Sequence, residues 1–326
     1  MRFGEKLLTD VLVTGGVGFI GYHLSNFLLE KDFNVTILDN FSNYYSEKIK
    51  RLNASDLIEK GAKIIEGSIL EKKSLDKAIK KDCEIVFHFA AQPGVRYSIS
   101  NPEISFRINV EGSSQVISFC KEKKIKKIVV ASSSSVFGKS EYLPIDEKHP
   151  KNPISIYGIS KLTVEQMVRV NIQLNPDLDI SIIRPFTVIG SRQRPDMAIN
   201  SFLSRSLKGS PIIIFGNGEQ TRDWTHVNNI VEAAYLMATK EKARNEDFNI
   251  GSGIRTSVND ILKLISELTG KKLNIQYTNF NSADVKDTLA DISKAKNYLD
   301  YEPKESLKIA INDFIKDYED NLSKIV

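Results

Sequence analysis

Six short runs of β-branched and aliphatic residues, separated by longer segments with helical periodicity, constrain the fold of this chain most strongly; they are residues 11–13, 35–38, 63–65, 84–87, 127–130 and 180–183. Most of the runs are apolar at consecutive positions, as expected for strands that are buried on both faces of a parallel sheet. Their regular alternation with helices predicts a doubly wound α/β fold. Right-handed crossovers would bring the carboxyl ends of the strands to one edge, so the loops at that edge should carry the chemistry.

The second half of the chain is organised differently. After Arg184, turn-forming residues accumulate near 194–196, 209–211 and 216–218. A helical pattern near 228–240 and an apolar run at 247–250 again fit the first sheet. A chain of 326 residues is long enough for about two domains of roughly 150 residues each. We therefore expect a first domain over 1–184 with a return segment near 225–252, and a second, smaller, interleaved α/β domain over 185–326.

Composition excludes several classes of function. With 41% hydrophobic and 26% charged residues, the chain is not disordered, and its net charge of +4 is slight. The one dense basic stretch, residues 121–127, precedes a strand and is typical of a solvated helix end, so we expect no nucleic-acid partner. Cys83 and Cys120 form no CxxC pair and lie near no histidine, which predicts neither a disulfide framework nor a zinc site.

The chain carries no sequence signal for export or membrane insertion. The first residues lack the apolar region of a secretory signal, and no later segment approaches the ~20 apolar residues of a membrane span. We therefore expect a cytoplasmic protein with no membrane partner.

A glycine-rich segment, TGGVGFIG at 14–21, follows the first strand and begins an amphipathic helical pattern. It contains GxGxxG at Gly16, Gly18 and Gly21, and GxxGxxG beginning at Gly15. Glycine permits a tight turn and close approach of the backbone to a pyrophosphate, which the helix N-terminus stabilises. The strand, turn and helix together predict a dinucleotide-binding Rossmann domain.

Asp39 ends the second predicted strand, about 20 residues after the glycines. A carboxylate there accepts hydrogen bonds from the adenosine ribose hydroxyls and repels a 2′-phosphate. Asn40 and Phe41 follow it, with no arginine at either position. The sequence therefore favours NAD over NADP.

Tyr157 and Lys161 lie four residues apart, on one face of a predicted helix. A strand that ends in a run of serines, at 131–135, precedes them. An ammonium and an oxidised nicotinamide nearby would both lower the pKa of a tyrosine from about 10, making the phenolate a competent base. A serine hydroxyl can share the proton. This arrangement predicts hydride transfer coupled to proton transfer at a secondary alcohol.

Together these residues resemble the extended short-chain dehydrogenase/reductase superfamily, and within it the NAD-dependent epimerase/dehydratase family that acts on nucleotide sugars. The resemblance covers nearly the whole chain. It rests on TGGVGFIG at 14–21, Asp39-Asn40, HFAAQPGVRYS at 88–98, SSSSVFG at 132–138, YGISK at 157–161, RPFTVIGSRQRPDM at 184–197 and GNGEQTRDW at 216–224.

The resemblance implies a role for individual residues of this chain. It implies a catalytic Ser133, Tyr157 and Lys161, and a structural Asn109 behind the catalytic helix. The implied NAD-binding residues are Gly15, Gly18, Phe19, Ile20, Asp39, Asn40, Ser68, Ile69, Ala90, Ala91, Tyr157, Lys161 and Pro185. The implied substrate-binding residues are Ser133, Ser134, Tyr157, Thr187, Arg194, Arg222 and Asp284.

The same resemblance narrows the reaction. Dehydratases of the family follow the catalytic hydroxyl with Asp-Glu, and decarboxylating members carry a nearby Glu, where this chain has Ser134 and Ser135. The blocks at 132–138 and 187–197 look most like UDP-glucose and UDP-glucuronate 4-epimerases. They imply that Tyr157 removes the C4 proton, NAD takes the C4 hydride, the 4-keto sugar turns over, and the hydride returns to its other face. The resemblance also implies a homodimer.

Several alternatives remain open at this point. The chain could be a dehydratase or decarboxylase of the same family, or a catalytically silent NAD-binding regulator. Arg194 could pair with a sugar carboxylate, a phosphate or a protein acid. Residues 281–285 depart from the Gly-Asp pair of relatives, where only Asp284 matches and Lys286 could replace an arginine. Ser68 stands where many relatives have Asp.

Overall fold

The computed structural model describes residues 9–279 and 285–321. The strands are β1 Asp10–Thr14, β2 Asn34–Asp39, β3 Lys63–Glu66, β4 Ile85–His88, β5 Lys127–Ala131, β6 Asp179–Pro185, β7 Thr187–Ile189, β8 Ile212–Phe215, β9 Thr221–His226, β10 Asp247–Ile250, β11 Arg255–Ser257 and β12 Ile275–Thr278. The helices are α1 Phe19–Glu30, α2 Glu47–Glu59, α3 Lys72–Ala78, α4 Val95–Ser100, α5 Pro102–Phe106, α6 Gly112–Lys123, α7 Ile156–Leu174, α8 Ala198–Lys208, α9 Val227–Thr239, α10 Val258–Thr269, α11 Ser293–Leu299 and α12 Leu307–Asp320.

The main sheet has seven parallel strands in the order β10-β6-β5-β4-β1-β2-β3. The order reverses between β1 and β4, where chain connections leave in opposite directions, and this arrangement confirms the predicted doubly wound fold. All six predicted runs lie in β1 to β6, apart from Glu84, which stands one residue before β4.

The consecutive apolar residues of the strands supply two different cores. Val11 and Val13 of β1 belong to one core with α1 and α9, whereas Leu12 between them belongs to another with α3, α6 and α7. In β5, Val129 belongs to the core with α1 and α9, and Ile128 belongs to the core with α3, α6 and α7. Because side chains alternate across a strand, each strand must be apolar at every position to be covered on both faces.

The later part of the chain builds smaller sheets. β11, β9 and β7 form a three-stranded sheet, and β12 pairs with β8. Apolar side chains from α8, α10 and α12 pack against β8 in a third core, which includes Phe202, Ile261 and Phe314. After β9 the chain returns to the main sheet, where β10 pairs with β6. Among the helices that the structure describes, none has the length and apolarity needed to span a membrane.

Arg192 joins three parts of the molecule. Its backbone has the left-handed φ of 57°, and its N–H donates to Asp317 Oδ2 of α12 at 2.7 Å. Its guanidinium pairs with Asp317 Oδ1 and with Asp56 Oδ2 of α2, both at 2.9 Å. These contacts fix the loop that leads from β7 to Arg194.

Candidate active site

A cavity of about 480 Å³ lies along the carboxyl edge of the main sheet. Its walls come from the loops that follow β1 to β6 and from the first turns of α7. This is the edge at which the sequence analysis expected the chemistry, and the volume is in the usual range for ligand sites.

The cavity brings together most of the predicted site residues. These are Gly15, Gly18, Phe19, Ile20, Asp39, Asn40, Ser68, Ile69, Ala90, Ala91, Ser133, Ser134, Tyr157, Lys161, Pro185, Thr187 and Arg194. Arg222 lies outside this lining, where its guanidinium donates to the backbone carbonyls of Thr221, Val285 and Lys286 at 2.6–3.0 Å. Asp284 lies outside the described residues.

The glycine-rich loop is packed too closely to admit side chains. Gly15 has a φ of +73°, and a Cβ added to it would lie 2.8 Å from the backbone nitrogen of Ala90. A Cβ on Gly21 would lie 2.1 Å from the carbonyl oxygen of Gly15. Gly18 caps α1 without a side-chain hydrogen bond. The first turn of α1 therefore faces the cavity with its backbone, as a pyrophosphate-binding loop requires.

Asp39 lies at the end of β2, buried in the wall of the cavity. Its carboxylate accepts hydrogen bonds from the backbone N–H groups of Val17 at 3.3 Å and Phe41 at 2.9 Å. Burial raises the pKa of this carboxyl, while the backbone hydrogen bonds and the charge of Lys50 oppose the rise. Sequence reasoning missed Lys50, which lines the same cavity from α2.

Ser155 begins the catalytic helix α7, where its side chain accepts from Gly158 N–H at 3.0 Å. The buried Asn109 supports this helix from behind: its Nδ2 donates to Ser160 Oγ at 2.9 Å, and its Oδ1 accepts from the backbone of Gln92. The helix therefore presents Tyr157 and Lys161 to the cavity on one face.

The pKa of Tyr157 is raised from its ordinary value, whereas the sequence predicted a pKa lowered by an ammonium and an oxidised nicotinamide nearby. Burial raises the pKa of its phenol, whereas the charge of Arg194 and a hydrogen bond with Ser133 lower it. Lys161 does not contribute to this shift; its Nζ donates to the carbonyl of Ala131 at 2.8 Å. Arg194 is thus the protein cation that favours the phenolate in this geometry.

The pKa of Lys161 is also shifted from its ordinary value. Burial lowers the pKa of its ammonium to about 8, and the carboxylate of Glu165 opposes that shift. The ammonium is therefore near its titration point at neutral to mildly alkaline pH. Perturbed groups of this kind are concentrated at sites where protons are transferred.

Arg194 approaches the reacting end from the loop before α8. Its Nε lies 3.2 Å from Asp196 Oδ1, and its guanidinium lies 5.7 Å from the ring centroid of Tyr44. Tyr44 in turn donates to Asp196 Oδ2 at 2.9 Å. Tyr44 follows β2, so this cluster ties the two walls of the cavity together. No local sequence pattern marks Tyr44, because its hydrogen bond is to a residue 152 positions away.

Comparison with known proteins identifies the family. The family model described as GDP-mannose 4,6 dehydratase matches residues 12–314. The chain belongs to that family. This membership confirms the extended short-chain dehydrogenase/reductase resemblance and accounts for nearly all of the chain.

Relatives in this family share most of their length with the chain. It is similar to a putative UDP-glucose 4-epimerase of Methanocaldococcus jannaschii, with 37% identity over 310 residues that cover 92% of this chain and 95% of the relative. It is 35% identical to the UDP-glucuronate 4-epimerase of Thermodesulfobacterium geofontis over 319 residues, 96% of this chain and 97% of the relative.

A solved structure shows the same similarity. UDP-glucuronic acid 4-epimerase from Bacillus cereus, crystallised with UDP-glucuronic acid and NAD, has a TM-score of 0.90 at 32% identity. The match covers 96% of this chain and 99% of that one. This chain therefore has the same fold as a protein that binds both UDP-glucuronic acid and NAD.

Replacing Gly21 with alanine tests the dinucleotide loop. The added methyl would meet the Gly15 carbonyl, so the turn must shift, and we expect Gly21→Ala to lower the affinity for NAD at least about tenfold. Gly270→Ala is the control, because it also strains a glycine backbone, at a left-handed φ of +64°, but outside the lining of the cavity. Calorimetric titration of NAD into both variants measures the effect; equal affinities would mean that the loop does not hold the dinucleotide.

Proposed function

We propose that this protein catalyses the NAD-dependent 4-epimerisation of a UDP-sugar, either UDP-glucose to UDP-galactose or UDP-glucuronate to UDP-galacturonate, through a transient 4-keto intermediate. The observation that carries the proposal is a single cavity with Asp39 and the glycine-rich loop at one end and Tyr157 and Lys161 at the other. The activities of the relatives support it.

The chain's own residues fit NAD. The loop at 15–21 has no room for a Cβ at Gly15 or Gly21, so its backbone is free to approach a pyrophosphate closely, and Asp39 offers a carboxylate to the adenosine ribose. As the family resemblance implies, Ser68 and Ile69 would contact the adenine, and Pro185 and Lys161 would contact the nicotinamide part. When bound, NAD supplies a hydride acceptor that returns the hydride within the same catalytic cycle. No external reductant is consumed, so tight retention of the cofactor suits the reaction.

Tyr157 is proposed as the base that accepts the proton of the C4 hydroxyl. Burial raises the pKa of its phenol, and the charge of Arg194, a hydrogen bond with Ser133 and, when NAD is bound, the oxidised nicotinamide oppose that rise. Lys161, which donates to the Ala131 carbonyl, would hold the nicotinamide ribose and supply a positive charge beside it when NAD is bound. On return of the hydride to the opposite face, Tyr157 gives the proton back to the sugar oxygen.

The charge of the cavity favours epimerisation over elimination. Of the described residues that line it, only Asp39 is acidic, and Asp39 lies at the adenosine end. Ser134 and Ser135 stand where dehydratases of the family carry Asp-Glu. Dehydration or decarboxylation is therefore the weaker alternative, because each needs a further acid or base beside the sugar. A silent regulator is disfavoured because Tyr157 and Lys161 are both present.

The second part of the chain is proposed to hold the sugar nucleotide. Thr187 and Arg194, with Ser134, are placed to contact the sugar and its acidic groups, since arginine binds carboxylates and phosphates through a planar fork. Arg222 and Asp284 remain predictions for the diphosphate end. We propose the division made from the sequence, with NAD on 1–184 and a return segment near 225–252, and the sugar nucleotide on 185–326.

A substrate panel tests the proposed function. Purified protein is incubated separately with UDP-glucose, UDP-galactose, UDP-glucuronate and UDP-N-acetylglucosamine, without added NADH, and the products are resolved by chromatography. We expect the 4-epimer of at least one gluco or galacto pair. Release of water or carbon dioxide, or no conversion of any sugar, would contradict the proposal.

Replacing Tyr157 with phenylalanine tests the base. We expect Tyr157→Phe to retain NAD but to lose turnover by about 10²-fold or more, because the removed hydroxyl is the proton acceptor. The matched control is Tyr301→Phe, which removes a buried hydroxyl that donates to Gly251 outside the cavity. Unchanged turnover in Tyr157→Phe would mean that another group is the base.

We also propose that the protein is a cytoplasmic homodimer. Ile99 of α4 and Ile104 of α5 expose apolar side chains, as does Ile159 of the neighbouring α7. The three helices contact one another, and apolar side chains exposed on neighbouring helices are typical of an interface. Light scattering should give twice the mass of one chain, and Ile99→Asp should reduce it to one chain, whereas Ile58→Asp, at an exposed site on α2, should not. A monomeric parent protein would contradict this.

A further inference from the structure

A buried carboxylate, Glu165, lies directly behind the reacting end of the cavity. It is on α7, one turn after Lys161, and only 1% of its surface is exposed. Its Oε1 accepts hydrogen bonds from Ser132 Oγ and from Arg184 Nε, both at 2.6 Å, and its Oε2 accepts from Arg184 Nη2 at 2.8 Å. Glu165 does not line the cavity, so it acts on the site only through other residues.

Each partner of Glu165 adjoins a residue with a proposed role. Ser132 precedes Ser133, and Arg184 precedes Pro185. The three segments come from the end of β5, the end of β6 and the face of α7 that carries Lys161. A single carboxylate therefore connects three walls of the reacting end, and its short charge-assisted hydrogen bonds leave each little freedom to move.

We propose that Glu165 is a positioning residue for the proposed epimerase reaction, on which this inference rests. Its bond to Ser132 holds the Ser133 hydroxyl in register with Tyr157, and its pair with Arg184 holds the nicotinamide-side wall. Hydride and proton transfer require reacting atoms within a few tenths of an ångström of productive geometry, and a displacement of about 1 Å can cost 10²-fold in rate.

The charges around this residue are distributed over several elements. Arg184 of β6 is also paired with Asp247 of β10. Burial lowers the pKa of Lys151, in the loop before α7; the charge of Arg184 lowers it further, and that of Glu165 opposes the shift. His88 of β4 faces Lys161, and burial lowers the pKa of His88 to about 3, so it is uncharged near neutral pH. Glu165 is therefore the anion that opposes the loss of the Lys161 proton.

The sign of the pH effect follows from this arrangement. The Lys161 ammonium is present below its pKa and is lost as the pH rises through about 8. Neutralising Glu165 removes the charge that opposes this loss, so the pKa of Lys161 falls further. A variant without the carboxylate should then lose activity at a lower pH on the alkaline side. A residue that only stabilised the fold would leave the shape of the pH profile unchanged.

Two variants and one control test the proposal. Ser132→Ala removes only the serine bond and keeps the ion pair, whereas Glu165→Gln removes the charge. Ser181→Ala is the matched control, because Ser181 is also buried and donates to the Ala243 carbonyl at 2.6 Å, outside the cavity. The measurements are kcat and KM as a function of pH, and hydrogen exchange of a peptide covering 131–137.

We expect Ser132→Ala to lower kcat at least about tenfold, with KM within about twofold, and to speed hydrogen exchange at 131–137. Glu165→Gln should shift the alkaline limb of the kcat profile to lower pH. Ser181→Ala should keep the parent kcat and exchange rate at 131–137. If Glu165→Gln fails to fold, Ser132→Ala still decides the positioning claim.

The outcomes separate this inference from the proposed function. A parent protein that is active, with Ser132→Ala behaving like Ser181→Ala in both kcat and exchange, would overturn the positioning role. An unshifted alkaline limb in a folded Glu165→Gln would overturn the role of its charge. If the parent protein converts no UDP-sugar, the proposed function fails, while the exchange rates at 131–137 still decide whether Glu165 holds that segment.

Discussion

The burial of both faces of the main parallel sheet is the constraint on which the rest of the molecule depends. Helices cover both faces, so apolar side chains fill most positions of the central strands, and the few buried polar groups, such as Ser181 and Arg184, are held by hydrogen bonds or ion pairs. Only the carboxyl edge stays open, and the cavity follows it from the glycine-rich loop to Pro185. The register of the strands therefore determines the geometry of the site, because it places Thr14 beside Leu38 on one side and beside His88 on the other.

Much of this architecture is predictable from sequence, because its signals are local. Apolar runs predict strands, and a glycine spacing predicts a turn, since backbone geometry and burial act over a few residues. The protonation of Tyr157 is not predictable in this way. It depends on Lys161 reaching the Ala131 carbonyl and on Arg194 arriving from a different loop, and both follow from tertiary packing. Lys50 escaped prediction for the same reason.

The site is electrostatically asymmetric along its length. Asp39 and Lys50 give one end of the cavity a carboxylate and an ammonium, whereas Lys161 and Arg194 give the other end two cations. Burying a cation is costly unless it is paired, and each of these groups has a compensating neighbour: Glu165 for Lys161 and Asp196 for Arg194. The electric field along the cavity therefore has a fixed direction, and it acts on an elongated anionic ligand before any specific contact forms.

The return of the chain to β10 has a consequence for how the molecule can be divided. Arg184 is fully buried behind the cavity, where it pairs with two carboxylates, Glu165 of α7 and Asp247 of β10. A fragment that stopped after β6 would keep the glycine-rich loop, Tyr157 and Lys161, yet it would leave that guanidinium short of an anion and the sheet with an open edge. The seven-stranded sheet therefore cannot be exchanged as a contiguous block, and a chimaera that replaces it must transfer β10 together with β1 to β6.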